Sequence, residues 1–203
     1  TGFLERVEAY ARGTGRQSLA VWGESGCGKS ALMAKAIERV RAARPQAVLC
    51  QRFIGATAPS SDVRSLLEGV CQEVSRAYAD ETAVPQDIRE LIPELPKRLA
   101  LARPERPLVV FLDALDQLSP TDGAHTLAWL PRGLPEHVRL VVSTLPGPCL
   151  DALEGRLPES NRVELRPMSP AEGRELLGLW LGEAGRRLQP AQEADVLGKF
   201  DRC

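Results

Sequence analysis

Apolar positions recur at two periods along this 203-residue chain, and the alternation of those periods predicts its architecture. Phe3, Leu4, Val7, Tyr10 and Ala11 fall at helical spacing, so an amphipathic helix is expected over 2–12, ended by Gly13-Thr14-Gly15. A short apolar strand follows at 18–22, then a helix to about Arg44, where Pro45 stops it. The Val, Leu, Phe and Ile of 47–54 predict a second strand, and Ser61 or Asp62 caps a helix through Tyr78. Residues 85–102 are helical in pattern, with a break expected at Pro93 or Pro96. Leu108-Val109-Val110-Phe111-Leu112 is five apolar residues in a row, which suits a strand buried on both faces of a parallel sheet. A short helix over 123–130, a strand over 138–143, a helix over 149–155 and a strand over 162–165 follow. Ser169 and Glu172 form a capping box for a helix with Leu176, Leu177 and Trp180 on its apolar face. A last helix starts near Pro190. Five strands separated by helices imply an α/β fold, a parallel sheet between two helical layers.

Composition narrows the class without naming a chemistry. Apolar residues make up 43% and charged residues 26%, ordinary for a soluble globular domain, and the length allows one domain plus part of another. The formal net charge of −1 gives no electrostatic case for nucleic acid or an anionic membrane as partner. No apolar run approaches the ~20 residues of a membrane span. Five cysteines show neither C-x-x-C nor zinc spacing, which leads to the expectation of reduced thiols in a cytoplasmic protein. The chain opens at Thr1 rather than methionine and stops just past a helical pattern, so a piece of a larger protein is expected.

The chemistry is concentrated between the first strand and its helix. Gly23-Glu24-Ser25-Gly26-Cys27-Gly28-Lys29-Ser30 satisfies G-x-x-x-x-G-K-[ST], a phosphate-binding loop, and Ala31 continues it into the helix. Three glycines let the backbone curl so that successive N–H groups point inward at phosphate oxygens, and the helix adds its positive end. Lys29 supplies a mobile ammonium for the outer phosphates, and the Ser30 hydroxyl is placed to ligand Mg²⁺. Strand, loop and helix arrive in the order the motif requires.

Such a loop needs an acidic partner at the end of a neighbouring strand to hold the hydrated metal. Asp113 closes the apolar run and is that candidate, although an aspartate at a strand end is common by itself. Asp116 stands three residues on, where a carboxylate orients and deprotonates the attacking water or merely caps a turn. Gln117 is a weaker candidate to position that water. Ser143 and Thr144 end the fourth strand, where a hydroxyl reads the γ-phosphate or simply forms a turn. Arg132 and Arg186 are conceivable fingers toward a nucleotide, with surface roles the simpler reading. The same holds for His125 and His137, which lack metal-spaced partners.

The phosphate loop, the strand ending Asp113-Ala114-Leu115-Asp116 and the segment from Arg139 through Ser143-Thr144 to Gly147 together resemble the STAND class of signalling NTPases, nearest its NACHT-type branch. Phe53-Ile54-Gly55, Ser60-Ser61-Asp62 through Leu67, and Val163 to Ser169 resemble its nephrocystin-like members. The resemblance implies a three-layer P-loop NTPase core over 1–166, with the Asp113 strand beside the fourth strand and the fourth beside the first. It implies a helical lid begun over 167–203 and a winged-helix domain beyond. It further implies a switch that rests with ADP and assembles with ATP, with an effector domain before it and sensor repeats after. Thr144-Leu145-Pro146 stands where many members have an arginine, and Ala114 stands where relatives place an acid. The water-activating duty then falls to Asp116 and hydrolysis is slow. No Asn-Lys-x-Asp guanine signature follows the fourth strand, which favours ATP. The competing expectations are a scaffold whose nucleotide is structural, a motor on nucleic acid, and a small-molecule kinase.

Overall fold

The computed structural model describes residues 2–167, 169–183 and 185–200. Helix α1 (Gly2–Arg12) leads into β1 (Leu19–Trp22), α2 (Lys29–Ala43) and β2 (Val48–Phe53). Next come α3 (Val63–Ala77), α4 (Ile88–Leu99), β3 (Leu108–Asp113) and β4 (Val138–Thr144). Helix α5 (Pro148–Glu154), β5 (Arg162–Glu164), α6 (Pro170–Glu183) and α7 (Pro190–Phe200) complete the order. The five strands pair in the order β2-β3-β4-β1-β5, every pairing parallel, as the resemblance implied.

The apolar runs are apolar because both faces of the sheet are covered. Val109 and Phe111 of β3 and Val141 of β4 face one way, onto Met33, Ala36, Ile37 and Val40 of α2 and Val7 of α1. Their neighbours Val110, Leu112, Leu140 and Val142 face the other way, onto Leu66, Leu67, Val70 and Val74 of α3 and Leu91, Leu95 and Leu99 of α4. Alternate residues of one strand therefore enter two different cores. Asp62 caps α3, its carboxylate accepting from the Ser65 amide at 2.8 Å.

Two helices depart from the expected pattern. Helix α4 runs unbroken through Pro93 and Pro96. Both prolines are exposed, and the opposite face seals the helix with Leu91, Leu95 and Leu99. Arg98, only 2% exposed, adds a polar anchor: it donates to Glu94 (2.6 Å), to Ser75 of α3 (2.8 Å), to the Ala83 carbonyl (3.1 Å) and to Asp80. Packing on that side outweighs the two amide hydrogen bonds the prolines forfeit. Residues 123–130 do not form one helix. A 3₁₀ segment, Thr121–Thr126, is kinked by positive φ at Asp122 and Gly123, and Leu127 is left-handed as well. The Arg156 guanidinium donates to the carbonyls of Thr126 and Leu127, and Leu127 O also accepts from the Leu130 amide at 2.9 Å, a single turn beyond the break.

Ser169 and Glu172 form the expected capping box at α6, with Ser169 N donating to Glu172 Oε2 at 2.8 Å and Glu172 N to Ser169 Oγ at 3.3 Å. Helices α6 and α7 are bridged by Arg174 and Glu193 at 3.0 Å. Leu177 is half-buried, while the side chains expected beside it, Leu176 and Trp180, lie outside the described residues. Among the described residues no helix is long and apolar enough to cross a membrane.

Candidate functional site

At the C-terminal edge of the sheet the β1–α2 loop, the β3 tip and the β4 tip enclose a hollow of about 320 Å³. Its walls are Ser25, Gly26, Gly28, Lys29, Ser30, Ala31, Ala114, Asp116, Gln117 and Leu145. Gly28 caps α2 in the left-handed region (φ 85°, ψ 18°), a conformation that glycine adopts without strain. No side chain caps the helix. The first amide to reach back is Leu32 N, to Gly28 O at 3.0 Å, so the preceding amides of α2 lack carbonyl partners within the helix. That end is the feature of a helix that accepts an anion.

Gly23 serves a different need. A Cβ at that position would stand 2.2 Å from the Leu165 carbonyl oxygen, because the chain leaving β5 passes directly over the loop, held by Leu165 N to Trp22 O at 2.7 Å. Only a residue without a side chain lets β5 close on β1 there.

Lys29 is 9% exposed and donates to the carbonyls of Gly23 (2.7 Å) and Glu24 (2.8 Å), with Cys27 Sγ at 3.6 Å. Asp113, 3% exposed, accepts from the Ser143 hydroxyl. Among the described residues neither the ammonium nor the carboxylate has an ion-pair partner. Buried charges are normally paired or bound to ions. A buried lysine that lacks an anion and a buried aspartate that lacks a cation, on the tips of β1 and β3 with β4 between them, fit a nucleoside polyphosphate carrying Mg²⁺. Ser30 in the wall and Asp113 behind it carry oxygens of the kind such an ion takes, as does the wall residue Asp116. Among the described residues no cluster of three or more His, Cys, Asp and Glu forms a metal cage of its own. Magnesium held by one or two protein oxygens and by phosphates needs none.

The structure thus brings Ser25, Gly26, Gly28, Lys29, Ser30, Ala31 and Asp116 onto one surface. Gly23 and Cys27 lie buried behind that wall and Glu24 is exposed, its carbonyl holding Lys29, while Asp113 directly precedes the wall residue Ala114. Asp116 accepts from the Leu145 amide at 2.9 Å through Oδ1 and from Gln117 Nε2 at 2.6 Å through Oδ2. Burial pushes the Cys149 thiol up to about 11, and the Asp116 charge nearby adds to it.

Ser143 and Thr144 are fully buried and absent from the walls. The Ser143 hydroxyl is occupied by Asp113 and by the Ala114 amide (2.8 Å), and Thr144 Oγ1 donates to the Leu145 carbonyl at 3.1 Å. Arg132 and Arg186 are exposed. His125 pairs through Nε2 with the Leu118 carbonyl at 2.7 Å, a turn contact. Two wall residues carry no sequence signal. Ala114 is left-handed (φ 61°, ψ 57°), which an alanine does not advertise, and Leu145 contributes through its position after β4.

The family described as AAA ATPase domain matches residues 2–143. The mouse (Mus musculus) NACHT and WD repeat domain-containing protein 2 is 36% identical over 163 residues, covering 77% of this chain and 9% of that protein. The human (Homo sapiens) NACHT domain- and WD repeat-containing protein 1 is 32% identical over 199 residues, covering 91% of this chain and 12% of that protein. The chain thus spans about a tenth of the length of these curated relatives. Among solved structures, the Aeropyrum pernix ORC1 protein in complex with DNA shares the fold with a TM-score of 0.56. It is 20% identical and covers 89% of this chain and 47% of that one.

Proposed function

The chain belongs to the AAA ATPase domain family, and from that premise we propose that it is the ATP-binding, slowly hydrolysing switch module of a multidomain NACHT-type signalling protein. The observation that carries this reading is a pair of buried charges that lack ion-pair partners among the described residues, Lys29 in the wall and Asp113 just behind it, at a hollow floored by an uncapped helix end.

In this reading the amides of Lys29, Ser30 and Ala31 take the inner phosphates. Lys29 leaves the Gly23 and Glu24 carbonyls for the outer ones. Mg²⁺, when bound, supplies neutralisation of the phosphate charge, with Ser30 and Asp113 holding it. Asp116 receives the proton of the attacking water, and Gln117, tied to it, orients that water. Turnover is slow because both Asp116 oxygens already accept a hydrogen bond and the β4 tip offers Thr144-Leu145-Pro146 rather than an arginine. Residues 1–166 form the NTPase core, and 167–203 begin a helical lid. Effector and sensor domains lie outside this chain, consistent with the WD repeats in the names of its relatives. The ATP form assembles with copies of itself in the cytoplasm. The DNA in the ORC1 complex belongs to that protein, and the net charge of −1 here supports neither DNA nor membrane as a ligand.

The test is a thermal melt with nucleotide at 100 times its dissociation constant, joined to a phosphate-release assay. Binding of that strength adds about 2.7 kcal/mol, roughly 5–10 °C for a chain of this size. Release on the order of 10⁻⁴–10⁻³ s⁻¹ is expected, the range of a phosphate loop with no arginine finger in cis or in trans. A melt that moves with neither Mg–ATP nor Mg–ADP refutes the reading. The doubly engaged Asp116 favours one alternative, a scaffold with structural nucleotide, which predicts bound ADP that neither exchanges nor turns over.

A further inference from the structure

Ser143 sits in β4, yet its hydroxyl works on β3. It donates to Asp113 Oδ1 and accepts from the Ala114 amide at 2.8 Å, and it is wholly shielded from solvent. This is the single hydrogen bond made to the Asp113 carboxylate among the described residues, so Oδ2 has no protein donor there. The second contact holds Ala114 in the left-handed region (φ 61°), a strained conformation for any residue but glycine. The turn that follows, Leu115–Gln117, carries Asp116, whose Oδ1 is in turn tied to the Leu145 amide at 2.9 Å. The β3 tip is thus joined to β4 at three points, and Ser143 makes two of them.

We propose that Ser143 is a positioning residue for the metal-binding carboxylate: it engages Oδ1 of Asp113, leaving Oδ2 for a divalent cation, and pins the Ala114 turn that presents Asp116 to the hollow. This rests on the nucleotide-switch reading and deepens it. Ser143 does not touch the γ-phosphate, since it is absent from the walls of the hollow and both its hydrogen-bonding roles are used. Residues that orient a metal ligand typically contribute 10–100-fold to metal affinity.

The experiment measures binding of a fluorescent ADP in EDTA, then titrates Mg²⁺ at fixed nucleotide, for wild type, Ser143→Ala, Ser143→Thr, Asp113→Asn and the double variant Asp113→Asn/Ser143→Ala. Ser143→Ala is expected to leave the EDTA affinity unchanged and to raise the half-saturating Mg²⁺ concentration 10–100-fold. Ser143→Thr, which keeps the hydroxyl, restores the wild-type value. In the Asp113→Asn background the alanine adds nothing further, because Ser143 acts through the carboxylate. If the alanine variant loses its cooperative melt, Ser143→Cys, a weak donor of similar volume, replaces it with the same expectations. A Mg²⁺ requirement within twofold of wild type, or an equal loss in EDTA, overturns the role of Ser143 while nucleotide binding stands. A wild-type chain that binds nucleotide under neither condition overturns the switch reading and this assignment with it.

Discussion

Replacing Lys29 with Met separates the stability of the loop from its affinity for nucleotide. The stem of Lys29 is packed inside the protein, and Met keeps most of that volume, so little cavity is created. The ammonium now rests on two neutral carbonyls, at 2.7 and 2.8 Å, and among the described residues no carboxylate pairs with it. Desolvating that charge offsets much of what the two contacts contribute, so the unliganded melting temperature should stay within a few degrees of wild type. Binding is another matter. An ammonium 4 Å from one phosphate charge is worth about 4 kcal/mol at an effective dielectric near 20. Giving up the two carbonyl contacts costs about 1 kcal/mol each, which leaves a net gain of about 2 kcal/mol. Lys29→Met should therefore bind Mg–ATP roughly 30-fold more weakly, at 1.4 kcal/mol per factor of ten. At a nucleotide concentration 100 times the wild-type dissociation constant, the stabilisation falls from about 2.7 to about 0.9 kcal/mol. Paired melts with and without nucleotide read both quantities. An affinity within threefold of wild type, in a variant that melts normally, would show that Lys29 does not reach the phosphates.

Other substitutions test other parts of the argument. Gly23→Ala drives a Cβ to within 2.2 Å of the Leu165 carbonyl and should lower stability by about 1–3 kcal/mol in a denaturant titration, whereas an unchanged midpoint would mean that β5 does not close over the loop. Asp116→Asn keeps an acceptor for the Leu145 amide, so nucleotide affinity should hold while phosphate release drops about 100-fold; unchanged turnover removes Asp116 from the chemistry. Arg98→Ala removes the buried guanidinium that ties Glu94, Asp80, Ser75 and the Ala83 carbonyl together, leaving Glu94 only Lys97 and Asp80 only Thr82 among the described residues, and should lower the urea-unfolding midpoint. The same cluster sets an acid limit. Burial pushes the Glu94 carboxyl up, but contacts from Lys97 and Arg98 outweigh it and hold it below its ordinary 4.5; bonds from Thr82, then Arg98, hold Asp80 below 3.8. Both groups lose protons more readily folded than unfolded. Their stabilisation is thus complete above about pH 4.5 and is lost as pH falls through the depressed folded values. Melting temperatures taken from pH 6 to pH 2 should decline less steeply below pH 4.5 in Arg98→Ala than in wild type.

The chain order of apolar runs was enough to predict a parallel sheet, because a strand covered on both faces must be apolar at every position, as 108–112 is. The phosphate loop was equally legible, since Gly28 at φ 85° and the lysine after it are local requirements of a turn entering a helix. Prolines misled the reading of α4 because their cost is local, whereas the contacts of Leu91, Leu95 and Arg98 that overcome it come from distant elements. The apolar residues of 123–130 are buried at helical spacing yet are carried by turns, because positive φ at Asp122, Gly123 and Leu127 breaks the helix and Arg156, some 30 positions later, supports the turn carbonyls.

Sequence alone determined which residues form the anion-binding turn and which strands are buried, because both follow from backbone conformation and from the period of apolar side chains. Only the tertiary structure decided what the acidic tip of β3 is joined to. Ser143 lies thirty residues from Asp113, and Leu145 twenty-nine from Asp116. Their meeting depends on β3 and β4 lying side by side in register, Leu112 opposite Val142, a pairing set by the packing of the whole sheet rather than by any neighbour along the chain.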